Sequence, residues 1–153
     1  MIYRVYQAGD YPALYAIEEA SFEPPFRFSR GYLRQLLASE QAATWVAEED
    51  VVPAGFATVR LRMRENPGTA YIETIEVAPA WRGRGIGGAL LRCVEGSAKS
   101  AGAAVLWLHV DAENATAIRL YTAHGYMLED REPNFYPRGR TALIYAKPIV
   151  TTG

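Results

Sequence analysis

The order of apolar and polar residues divides the chain into short segments, some alternating and some with helical spacing. Ile2-Tyr3-Arg4-Val5-Tyr6 alternates and predicts a strand. Asp10, with Pro12 close behind, predicts a helix start, and Leu14, Ile17 and the pair Ala20/Ser21 then recur at helical spacing. Phe22-Glu23-Pro24-Pro25-Phe26 ends that helix, because proline brings no N–H and clashes with the preceding turn. Ser29 predicts the cap of a second helix carrying Tyr32, Leu33, Leu36 and Leu37 on one face. Thr44 to Ala47 reads as a short strand, Pro53 and Gly55 bound a turn, and Phe56 to Met63 alternates as a longer strand. Asn66-Pro67-Gly68 predicts a turn. Ala70 to Val77, rich in β-branched and aromatic residues, predicts a strand that Pro79 ends. From Gly85 the spacing becomes helical, with Ile86, Leu90, Leu91 and Val94 on one stripe and Gly102 as the stop. Val105 to Val110 reads as a buried strand. Asn114 opens a short helix carrying Ile118, Leu120 and Tyr121, which Gly125 ends. Tyr126-Met127-Leu128 and Leu143-Ile144-Tyr145 predict two closing strands around a loop at Pro133 to Gly139.

This order holds one strand–helix–strand crossover among antiparallel hairpins. It predicts a mixed α/β sheet with helices on both faces. The length, 153 residues, is that of one domain, expected to fill 1–148 with a short tail at 149–153. Half the residues are apolar, enough for a core without disulfides or metal. Lys+Arg number 16 and Asp+Glu 17, so no positive field is available to hold nucleic acid. Cys93 is the only cysteine, which rules out an intramolecular disulfide and a Cys-based zinc site. His109 and His124 supply at most part of a metal site, and no metal is expected. Arg4 and Asp10 stand where the apolar part of a signal segment would lie. The longest apolar run, Ala103 to Leu108, is too short for a bilayer. The expectation is a cytoplasmic protein, monomer or homodimer, without membrane or nucleic-acid partners.

The most informative stretch runs from Val77 through Trp81-Arg82-Gly83-Arg84-Gly85-Ile86-Gly87-Gly88, where a strand gives way to an amphipathic helix. Glycines let main-chain N–H groups turn toward a ligand, and the helix N-terminus adds free donors and the positive end of a dipole. Arg82 and Arg84 add charge in a form that suits phosphate. Together these residues predict a diphosphate cradle. The dipole contributes only about 0.3–1 kcal/mol when exposed, so the amides and arginines carry most of the grip. A plain tight turn is the alternative, and four glycines together with two arginines exceed its needs. Gly83-x-Gly85-x-x-Gly88 also spells a dinucleotide fingerprint. That motif follows its strand directly, whereas Ala78 to Gly83 intervenes here, and a doubly wound sheet needs more than one crossover.

Arg82-x-x-Gly85-x-Gly87 after a strand ending in Val77 resembles the acetyl-CoA signature of the GNAT N-acetyltransferases. Asn114-x-x-Ala117-x-x-Leu120-Tyr121-x-x-x-Gly125-Tyr126 is similar to that family's second block. The resemblance covers nearly the whole chain. It implies the GNAT fold, a twisted and mostly antiparallel sheet of six to seven strands. Within the family, Leu106-Trp107-Leu108-His109-Val110 and Asn134-Phe135-Tyr136-Pro137 resemble protein N-terminal acetyltransferases, including the ribosomal-protein alanine group. His109, Tyr71 and Tyr121 resemble the arrangement in a eukaryotic branch of those enzymes.

What the resemblance implies is attack of a primary amine on the thioester of acetyl-CoA, with acetyl-CoA as cosubstrate. It assigns the cofactor to Arg82, Gly83, Arg84, Gly85, Ile86, Gly87, Gly88 and Asn114. It also has Ile75 and Val77 align the pantetheine arm, with main-chain N–H groups at that strand end holding the oxyanion. Tyr121 is either a core tyrosine or the acid that protonates the leaving sulfur, and the family match favours the acid. His109 is either bonded within the core or the base, with Tyr71 relaying a proton. Glu73, on Tyr71's face of the strand, and Glu76, on the other, are alternative bases. His124 is expected to serve the helix end. Phe22, Glu23 and Pro24, with Tyr136 opposite, are expected to wall the acceptor site, unless the apolar residues merely anchor loops. The acceptor is expected to be the N-terminal α-amine of a protein or peptide. Alternatives are a lysine or small-amine acetyltransferase, and a CoA-binding module without turnover.

Overall fold

The computed structural model describes residues 1–65 and 68–149. The elements are β1 (Ile2–Val5), α1 (Tyr11–Ser21), α2 (Arg30–Ala38), β2 (Ala42–Glu49), β3 (Val52–Glu65), β4 (Gly68–Val77), α3 (Ile86–Ser100), β5 (Val105–Asp111), α4 (Ala115–Ala123), β6 (Met127–Tyr136) and β7 (Arg140–Pro148). The strands form one sheet in the order β1-β2-β3-β4-β5-β7-β6, and only the β4–β5 pair is parallel. Alternation along β2 and β3 sends Val46 and Phe56 to one face, under α1 and α2, and Ala47 and Ala57 to the other, under α3. Among the described residues, no helix is long and apolar enough to cross a membrane.

Two predicted caps form as expected. Ser29 Oγ accepts the Tyr32 N–H and Asn114 Oδ1 accepts the Ala117 N–H, each at 3.1 Å. Asp10 does not cap α1; its carboxylate turns to Arg4 at 2.8 Å and accepts the Gln7 N–H at 2.9 Å. The turn expected at Pro53 and Gly55 lies instead at Asp50-Val51, both with positive φ. Pro53 falls near the start of β3, where its missing N–H is tolerated. Gly55 is bare because the Glu76 carbonyl sits 2.6 Å from where its Cβ would be. The loop expected over Pro133 to Gly139 is shorter. β6 runs through Pro133 to Tyr136 as an edge strand, the position that accommodates proline. Ile149, placed in the tail by sequence, donates its N–H to Ala104 O at 2.8 Å. The rest of that tail, and Asn66-Pro67 of the predicted turn, lie outside the described residues.

One irregularity shapes the site. Thr58 pairs with Thr74 and Val59 with Ile72, which leaves Glu73 without a partner on β3. Such a bulge shifts the side-chain alternation by one residue. Ile72 and Ile75 therefore both pack on the α3 side. Glu73, Thr74 and Glu76 all lie on the α1–α2 side, where Glu73 meets Tyr32 and Glu76 neighbours Glu18. Strict alternation had placed Glu76 opposite Glu73, and the bulge overturns that expectation. The β4–β5 ladder also stops here: it joins Thr69–Ile72 to Val105–Leu108 and no further. Beyond it the strands diverge, and a gap opens through the sheet.

Candidate active site

The turn after β4 has the geometry of an anion cradle. Gly83 and Gly85 hold φ of +79° and +78°, the left-handed region that glycine enters freely. The first main-chain bond of α3 runs from the Ala89 N–H to Gly85 O at 3.2 Å, so the N–H groups of Ile86, Gly87 and Gly88 have no acceptor within the helix. These donors and the helix dipole fit a diphosphate. Arg82 is not free to swing: its Nε donates to Val77 O at 3.0 Å and its Nη2 to Ser21 Oγ at 3.3 Å. Arg84 lies 4.9 Å above the Trp81 ring and is exposed.

A cavity of about 730 Å³ occupies the gap between β4 and β5. Tyr121, Ala117 and Asn114 line it from the α4 side, and Tyr71, Glu73, His109 and Tyr32 from the other. Tyr121 is 6% exposed, and its hydroxyl makes no hydrogen bond among the described residues. Burial pushes its hydroxyl well above the ordinary range, so it stays protonated. Tyr71 Oη lies 2.8 Å from His109 Nδ1, and burial raises the Tyr71 hydroxyl likewise. His109 stacks on Phe135 at 4.1 Å. Its Nε2 lies 3.3 Å from Glu132 Oε2, off the line of a hydrogen bond, and has no other partner.

Two loops roof one side of the cavity. Phe22 and Phe26 from the α1–α2 connection face Tyr136 and Arg140 from the β6–β7 connection across the cavity. Glu23 and Arg138 pair across it at 3.6 Å, and Arg140 lies 4.9 Å above the Phe26 ring. Burial, reinforced by Asp111, pushes the Tyr136 hydroxyl up to about 12. Glu73 Oε1 is held by Arg60 and by the Tyr32 hydroxyl, the latter at 3.0 Å.

The structure brings Tyr71, His109, Tyr121, Ile75, Asn114, Phe22, Glu23 and Tyr136 to one cavity. Val77, Arg82, Gly83, Arg84, Gly85, Ile86, Gly87 and Gly88 form the turn outside it, and Pro24 starts a short 3-10 turn without lining the cavity. The Asn114 side chain is engaged as the α4 cap. His124 ends α4, its N–H bonded to Tyr121 O at 3.1 Å. Sequence reading passed over Glu18, Thr74 and Tyr32, which line the cavity together with Phe135 of the segment singled out by the resemblance. Tyr32 stood in plain view on the apolar face of α2. Glu18 and Thr74 carry no local signal, since the bulge and a distant helix bring them together.

The chain matches the Acetyltransferase (GNAT) family over residues 11–126. It is 32% identical over 149 residues to the [Ribosomal protein bS18]-alanine N-acetyltransferase of Escherichia coli (strain K12), with 94% of each chain covered. The crystal structure of the ribosomal-protein-S18-alanine N-acetyltransferase from Escherichia coli superposes with a TM-score of 0.86 at 28% identity, covering 99% of this chain and 96% of that one. Arabidopsis thaliana NAA60, solved in complex with acetyl-CoA, shares the fold with a TM-score of 0.83 at 22% identity, over 97% of this chain and 98% of that one.

Proposed function

The chain belongs to the GNAT family of acetyltransferases, and we propose that it moves the acetyl group of acetyl-CoA onto the N-terminal α-amine of a protein or peptide by direct attack. The observation that carries this reading is the cavity through the sheet, which has a protonated tyrosine on one side and a tyrosine–histidine pair on the other. Acetyl-CoA supplies an activated acyl group. The turn before α3 takes its diphosphate, and the thioester enters the gap from the α3–α4 side. The amine enters from the α1–α2 side, beneath the two roofing loops.

Within the gap each chemical need meets a residue. The unpaired edge of β4, around Ile75 to Val77, offers main-chain N–H groups to the developing oxyanion. Tyr121 donates its proton to the departing sulfur. The proton of the attacking amine passes to the Tyr71 hydroxyl, which hands its own to His109 Nδ1. The charge gained by the ring then faces the Glu132 carboxylate. Energetics support an α-amine acceptor. At pH 7, deprotonation costs roughly 1–1.4 kcal/mol for an α-amine and about 4.6 for lysine.

The relatives named for alanine N-acetylation agree with this acceptor class. A panel of peptides with free N-termini, N-blocked peptides containing lysine, and polyamines, incubated with acetyl-CoA and read by mass, tests the reading. Acetylation at the free α-amine is expected. Transfer only to lysine or polyamines overturns it.

A further inference from the structure

Two glutamates are sealed beneath the acceptor side of the gap. Glu18 on α1 is 1% exposed and Glu76 on β4 is 4% exposed, and neither forms an ion pair among the described residues. Each has one satisfied oxygen. Glu18 Oε2 accepts the Phe28 N–H at 3.0 Å, and Glu76 Oε2 accepts the Thr74 hydroxyl at 2.7 Å. Each also has a second oxygen, Oε1, that is buried and without a partner. Neighbouring buried carboxyls cannot both ionise without strong repulsion. Burial first, and then Glu18, hold the Glu76 carboxyl well above its ordinary range. One proton between the two vacant oxygens satisfies both of them.

We infer that Glu18 and Glu76 hold one proton in common and act as a positioning pair, latching the acceptor loop to the end of β4 where the thioester is attacked. The inference rests on the reading that this side of the gap receives the amine. Through Phe28, Glu18 fixes the loop that carries Phe22 and Phe26. Glu76 lies between Ile75 and Val77, on the strand edge that faces the oxyanion. Loss of the common proton sets two carboxylates against each other and pushes the loop away from β4.

The other titratable or charged groups around the pair have partners of their own. Arg82, before α3, favours ionised Glu76, but its guanidinium is engaged with Val77 O and Ser21 Oγ. Tyr15 on α1 donates to Phe28 O at 3.5 Å, and Arg27 of the loop donates to the carbonyls of Phe22 and Glu19. Glu73 is taken by Arg60 of β3 and Tyr32 of α2. On β3, Phe56 and Thr58 stand opposite Glu76 and Thr74, and neither titrates. Acceptor binding should therefore weaken as the solution turns alkaline, and acetyl-CoA binding should weaken less, since Arg82 stays held by Val77 O and Ser21 Oγ.

Infrared spectra of the whole protein in mildly alkaline solution test the proton directly. A protonated-carboxyl C=O stretch is expected in the wild type and is expected to vanish in Glu76→Gln. Glu76→Leu should raise the acceptor KM by roughly tenfold or more, with a smaller change in kcat and in the acetyl-CoA dissociation constant. Glu76→Gln keeps a donor toward Glu18, so it should recover most of that loss and remove the alkaline rise in KM. No such band in the wild type, or equal weakening of acceptor and acetyl-CoA in Glu76→Gln, overturns the inference. If no amine is acetylated at all, the proposed reaction fails, and the pair is judged on the infrared band alone.

Discussion

The two sides of the gap are built in different ways. The side we propose for the cofactor is main chain: a turn with two glycines at positive φ, the free first-turn amides of α3, and an unpaired strand edge. The acceptor side is side chain: carboxylates, aromatics and arginines gathered from α1, α2, β4, β5 and the β6–β7 connection. A main-chain site answers to backbone freedom and tolerates many side chains around it. A side-chain site answers to packing and to proton placement, and its parts lie far apart in sequence. One side can therefore stay fixed across acceptors while the other sets which amine is taken.

The largest expected effect lies where the two sides meet. Tyr121→Phe keeps the ring and removes the proton, so kcat should fall by about 10²–10⁴ while acetyl-CoA affinity is nearly retained. Rapid-quench kinetics and calorimetry separate these quantities. A matching loss of affinity would instead place Tyr121 in the binding surface.

On the cofactor side alone, Gly85→Ala forces a Cβ into the left-handed region although nothing crowds the position. The backbone penalty of about 1–2 kcal/mol should weaken acetyl-CoA binding by roughly five- to thirtyfold. Acceptor specificity should be unchanged.

On the acceptor side, the raised Glu76 carboxyl links stability to pH. The folded state holds a proton that the unfolded chain releases at lower pH. Its contribution is thus complete below the ordinary glutamate range and is lost as pH climbs through the raised value. Thermal unfolding of Glu76→Gln should lack that decline, so its melting temperature should rise relative to wild type as pH increases. A constant offset at every pH would show that the carboxyl is not held neutral.

The smallest effect lies away from both sides and serves as a control. Val51 is 86% exposed and sits at φ 58° in the β2–β3 turn, which suits glycine. Val51→Gly should raise stability by about 1 kcal/mol, a shift of about 2–4 °C in unfolding temperature. Kinetics should not change.

The same division explains what could be read from the sequence. The left-handed turn at Gly83 and Gly85 was legible because main-chain geometry is encoded locally, by glycines at fixed spacing before a helix. The caps Ser29 and Asn114 were legible for the same reason. Tyr71 and His109 were linked by the family resemblance rather than by the apolar pattern, and their side chains do meet. Glu76 was placed on the wrong face because a bulge leaves no mark in the apolar pattern. Its tie to Glu18, on a helix far away in sequence, is a tertiary fact. The Pro53–Gly55 turn failed for a related reason: Gly55 answers to a carbonyl of the neighbouring strand, not to a bend.

The central claim is that thioester and amine occupy the gap together and react directly. Initial rates measured over a grid of acetyl-CoA and acceptor concentrations test it most directly. The account predicts intersecting double-reciprocal lines and no acetylated protein when acetyl-CoA is supplied alone. Parallel lines, with an acetyl group found on the protein by intact mass, would contradict it.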